Sequence, residues 1–328
     1  MDQIISTLER NPEYYGAALA LIEKNFNYPA GQHFDVDFYL LMRKENQSHN
    51  FIIIDKTDQR ILAHIGVIIR QMSLRDNFFP VAFIGGIAVD EKYQGRGLFK
   101  NLFNYVISKY EKEVLFFFLW SDQDQLYRKF DFFQTGVIHQ TGIDQISHYT
   151  GTMFIRQKLA EVRPEDFIAM KKLYLDNIEG KCFAIHRNDS DWEALKWISS
   201  ADFYLYKSNN KLLSYFVANK GADLKEVIHE LVCACGYEQK ILAELAQYKL
   251  WIPENYFKYN GVPVQSLYSG ICRLGNGDFF THFIQLQSIA VTGQSDPVSL
   301  LQSLWGERRS GMTNINSFPL YISGLDSI

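Results

Sequence analysis

Residues 81–89 form an uninterrupted apolar block rich in β-branched side chains, and at Asp90 the pattern switches at once to a charged turn carrying Gly95 and Gly97. A block of that length ahead of a turn predicts a buried strand. From Leu98 the apolar positions recur at helical spacing, with Leu98, Leu102, Tyr105 and Val106 on one face and Lys100, Asn101 and Asn104 on another. Strand, glycine turn and helix therefore follow one another directly. The free N–H groups of the first helical turn and the positive end of the helix dipole then point into the loop, which suits it to an anion. Gly95 and Gly97 can take positive φ and let a ligand approach the main chain, and Arg96 adds a forked cationic donor. Glycine is also the ordinary residue of any tight connection, so the two glycines alone decide little.

The flanking chain reads as an α/β unit around this segment. Residues 13–25 predict an amphipathic helix and 38–42 a second helical piece, and strands at 51–54 and 61–69 bracket the polar residues 56–60 as a hairpin. Residues 114–120 are apolar throughout, which predicts a strand buried on both faces, parallel to its predecessor through the helical crossover. Two adjacent parallel strands would then carry a site at their carboxyl ends. Residues 121–124 lead into a short helix holding Tyr127, where Asp122 or Asp124 either caps the helix or serves as a base. Residues 132–149 supply closing strands.

Single hydrophobic cores stop growing at about 250 to 300 residues, so a chain of 328 predicts two domains, divided here as 1–150 and 151–328. The second part repeats the order of the first: helix 167–174, hairpin 203–206 and 212–217, strand 226–235, helix 241–248, strand 250–252. At the equivalent turn it reads Gly236-Tyr237-Glu238-Gln239-Lys240, with one glycine and no arginine. That is a degenerate copy lacking the anion cradle; an unrelated α/β domain is the other reading. Residues 267–328, including Phe279-Phe280, read as further strands.

A net charge of −4 with no Lys/Arg-rich run gives no field for nucleic acid. The first twelve residues lack an apolar segment after a basic start, and nowhere do 18 apolar residues run together. The expectation is a cytoplasmic protein without a membrane partner. Four scattered cysteines argue against a disulfide framework. Cys233 and Cys235 with His229 are imaginable metal ligands, but no second pair stands at zinc spacing, so a buried strand and no metal are expected.

The turn is more specific than its glycines. Val89-Asp90-Glu91-Lys92-Tyr93-Gln94-Gly95-Arg96-Gly97-Leu98-Phe99 resembles the acetyl-CoA-binding signature Q/R-x-x-G-x-G/A of the GNAT superfamily of N-acetyltransferases, which follows a strand ending in Val. Gln94 and Gly97 match in register; Phe99 stands where the family has Gly or Ala. Leu126-Tyr127-Arg128-Lys129-Phe130-Asp131-Phe132 resembles the family's L-Y-x-x-x-G-F segment, with Asp131 for Gly, a residue that tolerates the left-handed conformation.

The resemblance implies a mixed, mostly antiparallel sheet with a central parallel strand pair, flanked by helices, and a second domain of the same type. It implies acetyl-CoA as co-substrate. The pyrophosphate would lie at Gln94, Gly95, Arg96, Gly97, Leu98 and Phe99, and the pantetheine and thioester oxygen would meet backbone N–H groups of Ile87, Ala88 and Val89 at a bulge that Gly85 and Gly86 would ease. By the same resemblance Tyr127 would protonate the departing thiolate, and the acceptor would be a small-molecule or peptide amine. Asp122, ending the adjacent strand, is the candidate base. Two other classes stay open: an acyl-CoA-binding sensor without catalysis, and a tandem-domain aminoacyl transferase using charged tRNA, against which the missing basic surface counts.

Overall fold

The computed structural model describes residues 3–253, 263–287, 296–305 and 318–327. Strand β1 (Gln3–Thr7) leads to helix α1 (Tyr15–Asn25), whose buried Ala18 and Ile22 seat it on the sheet. The single turns α2 (Phe34–Asp37) and α3 (Tyr39–Met42) follow, then β2 (Asn50–Asp55), β3 (Arg60–Leu74), β4 (Asn77–Val89), α4 (Leu98–Tyr110), β5 (Phe116–Leu119), α5 (Asp124–Arg128) and β6 (Phe133–Gln140). The second half contributes β7 (Ile155–Gln157), α6 (Pro164–Ile178), β8 (Phe183–Ile185), α7 (Asp189–Leu195), β9 (Asp202–Ser208), β10 (Lys211–Ala218), β11 (Ile228–Cys233) and α8 (Glu238–Leu245). Then come β12 (Trp251–Pro253), β13 (Gln265–Leu274), α9 (Gly277–Leu286), α10 (Pro297–Trp305) and β14 (Leu320–Tyr321).

The main sheet runs β1-β2-β3-β4-β5-β13-β6-β12, with β8 and β14 attached at the far end of β3. Its pairs are antiparallel except β4 with β5 and β8 with β14. The pair β4 and β5 is short, from Val81 opposite Phe116 to Phe83 opposite Phe118, so beyond it the two strands diverge toward their carboxyl ends. Side chains alternate as the pleat demands. Phe117 and Leu119 face a core with Leu102, Phe103 and Val106 of α4, while Phe116 and Phe118 face Phe280, Phe283 and Trp305 of α9 and α10. Burying each such side chain is worth about 1.5 to 3 kcal/mol, which fixes α4 to one face of the sheet. A smaller antiparallel sheet, β11-β10-β9-β7, holds the second half.

The two halves share the main sheet. β13, from the second half, lies between β5 and β6, pairing Ile271 with Leu119 on one side and with Gln134 on the other. β12 follows on the outer edge of β6.

Several local expectations need correction. Tyr105 points outward, 43% exposed, and Phe103, Ile107 and Tyr110 complete the buried face of α4 instead. Phe279 and Phe280 lie in helix α9, where Asn276 Oδ1 caps the first turn by accepting from Asp278 and Phe279 N–H, and not in a strand. Neither Asp122 nor Asp124 caps α5: its N-cap is Gln123, and Asp124 pairs with Arg128 one turn on at 3.2 Å. After β6 the chain forms a 3-10 turn at Ile146–His148 and not further strand. Cys233 is buried in β11 and Cys235 is exposed. Among the described residues no helix is long and apolar enough to cross a membrane.

Candidate functional site

Near its carboxyl end β4 carries a bulge. Gly66 pairs with Gly85 and His64 with Ala88, so Gly86 and Ile87 together oppose Ile65 alone. Gly86 has a φ of +59°, the left-handed geometry that a bulge led by glycine needs. The chain then makes a 3-10 turn at Glu91–Tyr93, capped by Asp90 Oδ1 accepting from Lys92 N–H at 2.9 Å. Gly95 and Gly97 follow with φ of +74° and +80°. Gly97 is the N-cap of α4 and no side chain caps that helix, so the first-turn N–H groups face the loop. A Cβ added at Gly95 or Gly97 would meet nothing within 4 Å, so the concave side of the turn is open. Backbone donors, dipole and open space together fit a pyrophosphate.

A cavity of about 1470 Å³ joins these features. Of the residues singled out in the sequence, Ile87, Val89, Gln94, Gly95, Gly97, Leu98, Phe99, Asp122 and Tyr127 line it. Ala88 and Arg96 do not: Ala88 is buried in the core, and the Arg96 guanidinium lies outside, 4.9 Å over the Tyr93 ring. Phe99 turns into an aromatic cluster, edge-on to Tyr127 at 5.9 Å and to Phe130 at 5.6 Å. Asp131 takes a φ of +62°, supplying the left-handed residue that glycine would supply.

Tyr127 is 6% exposed. Burial pushes its phenol up to about 12, opposed by a hydrogen bond with Ser121 and reinforced by the charge of Asp122. It therefore keeps its proton throughout the neutral range. Asp122 stands beyond the end of β5, exposed at the cavity wall.

Sequence reasoning missed the cavity's far wall, which the second half builds. Lys220, buried, donates from Nζ to the carbonyl of Gly324 at 2.8 Å and to Ser327 Oγ at 3.1 Å, with the carbonyl of Ser327 also in reach. Burial drags the Lys220 pKa down to about 7, while Asp326, Asp37 and Asp223 pull it back up. So many oxygens around one nitrogen fit an ammonium, and we take the charged form as the resident one. His229 is buried with Nε2 2.5 Å from the Asn219 carbonyl; its Nδ1 has no hydrogen-bond partner among the described residues and packs on Gly324. From the first half, Asn25 Oδ1 accepts from Val89 N–H at 3.4 Å. No local pattern marks Lys220 or Asn25, because each acquires its place through chain far away in sequence, and the spacing that singled out His229 pointed to a metal and not to this wall.

Residues 9–135 match the family model described as an acetyltransferase (GNAT) domain. No curated protein sequence matches the chain. Among solved structures it is similar to a probable N-acyltransferase from Enterococcus faecalis (TM-score 0.60, 15% identity, covering 84% of this chain and 73% of that one). It is also similar to a GCN5-related N-acetyltransferase from Kribbella flavida (0.59, 14%, covering 83% and 71%). A third similar structure is N-myristoyltransferase from Saccharomyces cerevisiae with bound myristoyl-CoA (0.50, 11%, covering 74% and 68%). These likenesses extend past the segment matched by the family model and so include the second half. The bulged strand, the open glycine turn and the parallel strand pair diverging at the cavity all fall within residues 9–135, the segment that matches the acetyltransferase (GNAT) domain.

Proposed function

We propose that the chain is an acyltransferase that moves an acetyl group from acetyl-CoA to an amine by direct attack. One observation carries the reading: the bulge at Gly86, the open turn at Gly95 and Gly97, and the buried phenol of Tyr127 border one cavity. The pyrophosphate lies on the first turn of α4 and the pantetheine arm runs along the end of β4. The main-chain N–H of Ile87 at the bulge faces the thioester oxygen, since Val89 N–H already donates to Asn25 Oδ1. A neutral amine attacks the thioester carbon, the C–N bond forms, and the oxyanion is stabilised by that donor. Asp122, directly or through water, accepts the amine proton. The C–S bond then breaks, and the thiolate takes a proton from Tyr127. The second half, read as a degenerate copy of the first, forms the acceptor side of the cavity through Lys220, Leu224, His229 and Tyr321, so the acceptor is a small-molecule or peptide amine reaching the thioester from that side.

The test uses the full chain with acetyl-CoA and a panel of amines, following free thiol and, by calorimetry, cofactor binding. Thiol release that depends on an amine supports the proposal. Tight binding without release with any amine supports a sensor instead.

A further inference from the structure

His64, on β3, lies directly behind the bulge and is completely buried. Its Nδ1 is 2.7 Å from the carbonyl oxygen of Gly86, so Nδ1 carries a proton and donates it to that carbonyl. Its Nε2 is 3.1 Å from Asn50 Oδ1. The Asn50 amide is itself fixed, since its Nδ2 donates to the carbonyls of Leu41 and Asn46 at 2.9 Å each. Turning that amide over would set its oxygen against two carbonyls, so the oxygen faces His64. The neutral ring thus makes one hydrogen bond, to Gly86, and its Nε2 lone pair faces the Asn50 oxygen, which Nε2 can bond only once the ring takes a second proton.

Burial lowers the His64 pKa to about 4, opposed by the Gly86 bond, so the ring is neutral at pH 7 with its proton on Nδ1. Protonation in acid would add the second proton on Nε2, where the Asn50 oxygen already stands. The bond to Gly86 survives in both forms. That constancy matters because Gly85 and Gly86 have no side chains to hold the bulge, and glycine has the largest conformational freedom to lose. The ring also fills the space behind the bulge: a Cβ on Gly86 would come within 3.3 Å of His64 Nδ1 and Cε1.

We propose that His64 is a positioning residue for acyl transfer: by holding the Gly86 carbonyl it fixes the bulge, so that the Ile87 N–H, in the same peptide unit, stays aimed at the thioester oxygen. The proposal rests on the acyl-transfer reading. It touches no reacting atom and acts only through the backbone of β4.

The experiment uses acetyl-CoA labelled with ¹³C at the thioester carbonyl, bound to the full-length protein, and reads the carbonyl stretch by infrared difference spectroscopy. In the native protein donation by the bulge should shift the band to lower frequency. His64→Asn, whose side-chain N–H can take the place of Nδ1–H, should keep the shift. His64→Leu and His64→Gln should lose it and lower kcat by about 10²-fold, the low end of what one oxyanion donor supplies, with coenzyme A affinity unchanged. Gly86→Ala tests the same bond from the other side, adding a methyl against the ring at a φ that alanine resists, and should lose the shift as well. A Leu variant that keeps both shift and kcat, or an Asn variant that falls as far as Leu, overturns the role of His64. Failure of the native protein to bind acetyl-CoA at all would sink the acyl-transfer reading itself, a distinguishable result.

Discussion

The chain builds a strand, a glycine turn and a helix twice, as β4 with α4 and as β11 with α8, and only the first is left open to a ligand. In the first, the bulge sits near the end of the strand, two glycines are left-handed, and no acidic residue occupies the first helical turn. In the second, the register shift falls at the start of β11, opposite Val217 and Ala218, and only Gly236 is left-handed, with φ of +87°. Glu238, the first residue of α8, turns back so that its Oε2 accepts from Gly236 N–H at 2.8 Å. The second helix end thus carries its own anion. The strands differ in the same sense: β4 and β5 pair in parallel over three residues, whereas β11 makes one parallel bridge, Ile228 to Leu250, before the chain leaves to join β6 in the main sheet. A helix N-terminus becomes an anion site only where the sequence leaves its donors unclaimed.

Because β13 lies inside the main sheet, the comparison is between halves that do not separate cleanly. A chain ending at residue 150 loses the strand between β5 and β6, and the ladders on both sides with it. We expect that fragment to lack cooperative unfolding and dispersed amide resonances, a complete loss. A well-folded 1–150 fragment with full activity would break the account of the shared sheet and remove the second half from the acceptor site.

The next effect is in the joint. Arg187 is buried and bonds Glu230 and Asp326 together, and Arg70 of β3 reaches Asp326 at 3.2 Å and Asp191 at 3.5 Å. Removing one partner strands buried charge, so Asp326→Ala should cost about 3 to 5 kcal/mol in denaturant unfolding. Burial alone would raise the Asp326 pKa, but Arg187 and Arg70 outweigh it and hold the carboxyl below its usual range. The unfolded chain therefore takes up this proton first. The stability is present above about pH 4, the ordinary carboxylate value, and is lost as the pH falls through the lower folded value. The gap in Tm between the native protein and Asp326→Asn should narrow below that pH; a gap constant down to pH 2 would show that this carboxylate does not carry the joint.

The open and closed turns can be compared with matched changes. Gly97→Val and Gly236→Val force a β-branched residue into nearly the same left-handed conformation, and neither Cβ meets a neighbour within 4 Å. Each should lose a similar 1 to 2 kcal/mol of stability, roughly the cost of that conformation for a side chain. Only Gly97→Val should also weaken coenzyme A binding, by about 10²-fold or more, equivalent to roughly 2.7 kcal/mol, because its branches fill the space left for the pyrophosphate. Native protein should bind one equivalent by calorimetry. Two equivalents, or equal losses from both substitutions, would make the second turn a working cradle.

Local patterns made the first unit legible: the apolar block, the spacing of glycines, and Asp131 as a residue able to stand left-handed. They did not show where β13 goes, since a strand that crosses into another sheet is set by pairing across more than a hundred residues, which no periodicity records. Phe279 and Phe280 looked like strand because adjacent aromatics suit either element; the Asn276 cap decided for helix. Lys220 and His64 were invisible as site residues for the same reason, each defined by partners from distant segments, and His229 stood out only as an imaginable metal ligand and not as part of the cavity wall. Arg96 was legible as a cation beside the glycines, but its contact with Tyr93 takes it to the rim.

The smallest expected effect concerns Tyr127, on the first unit's side of the cavity. Its phenol is buried among Phe99, Phe103 and Phe132, and burial alone would make it a packing residue. The hydrogen bond with Ser121 and the place on the cavity wall are what a proton donor needs in addition. With the phenol held at about 12, the acid form persists to pH values well above neutral, so rates between pH 7 and 10 should show no falling limb from this group. Tyr127→Phe keeps every ring contact and removes the proton. It should lower kcat roughly tenfold, below the usual range for a positioned acid because water in an open cavity can substitute in part, and it should leave coenzyme A affinity and Tm unchanged. A leaving group that needs no acid, such as a thioester with a strongly electron-withdrawing thiol, should restore most of the loss. An unaltered kcat with the chemical step shown to be rate-limiting, or a loss that the activated thioester does not restore, would return Tyr127 to a packing role and leave the thiolate to depart unassisted.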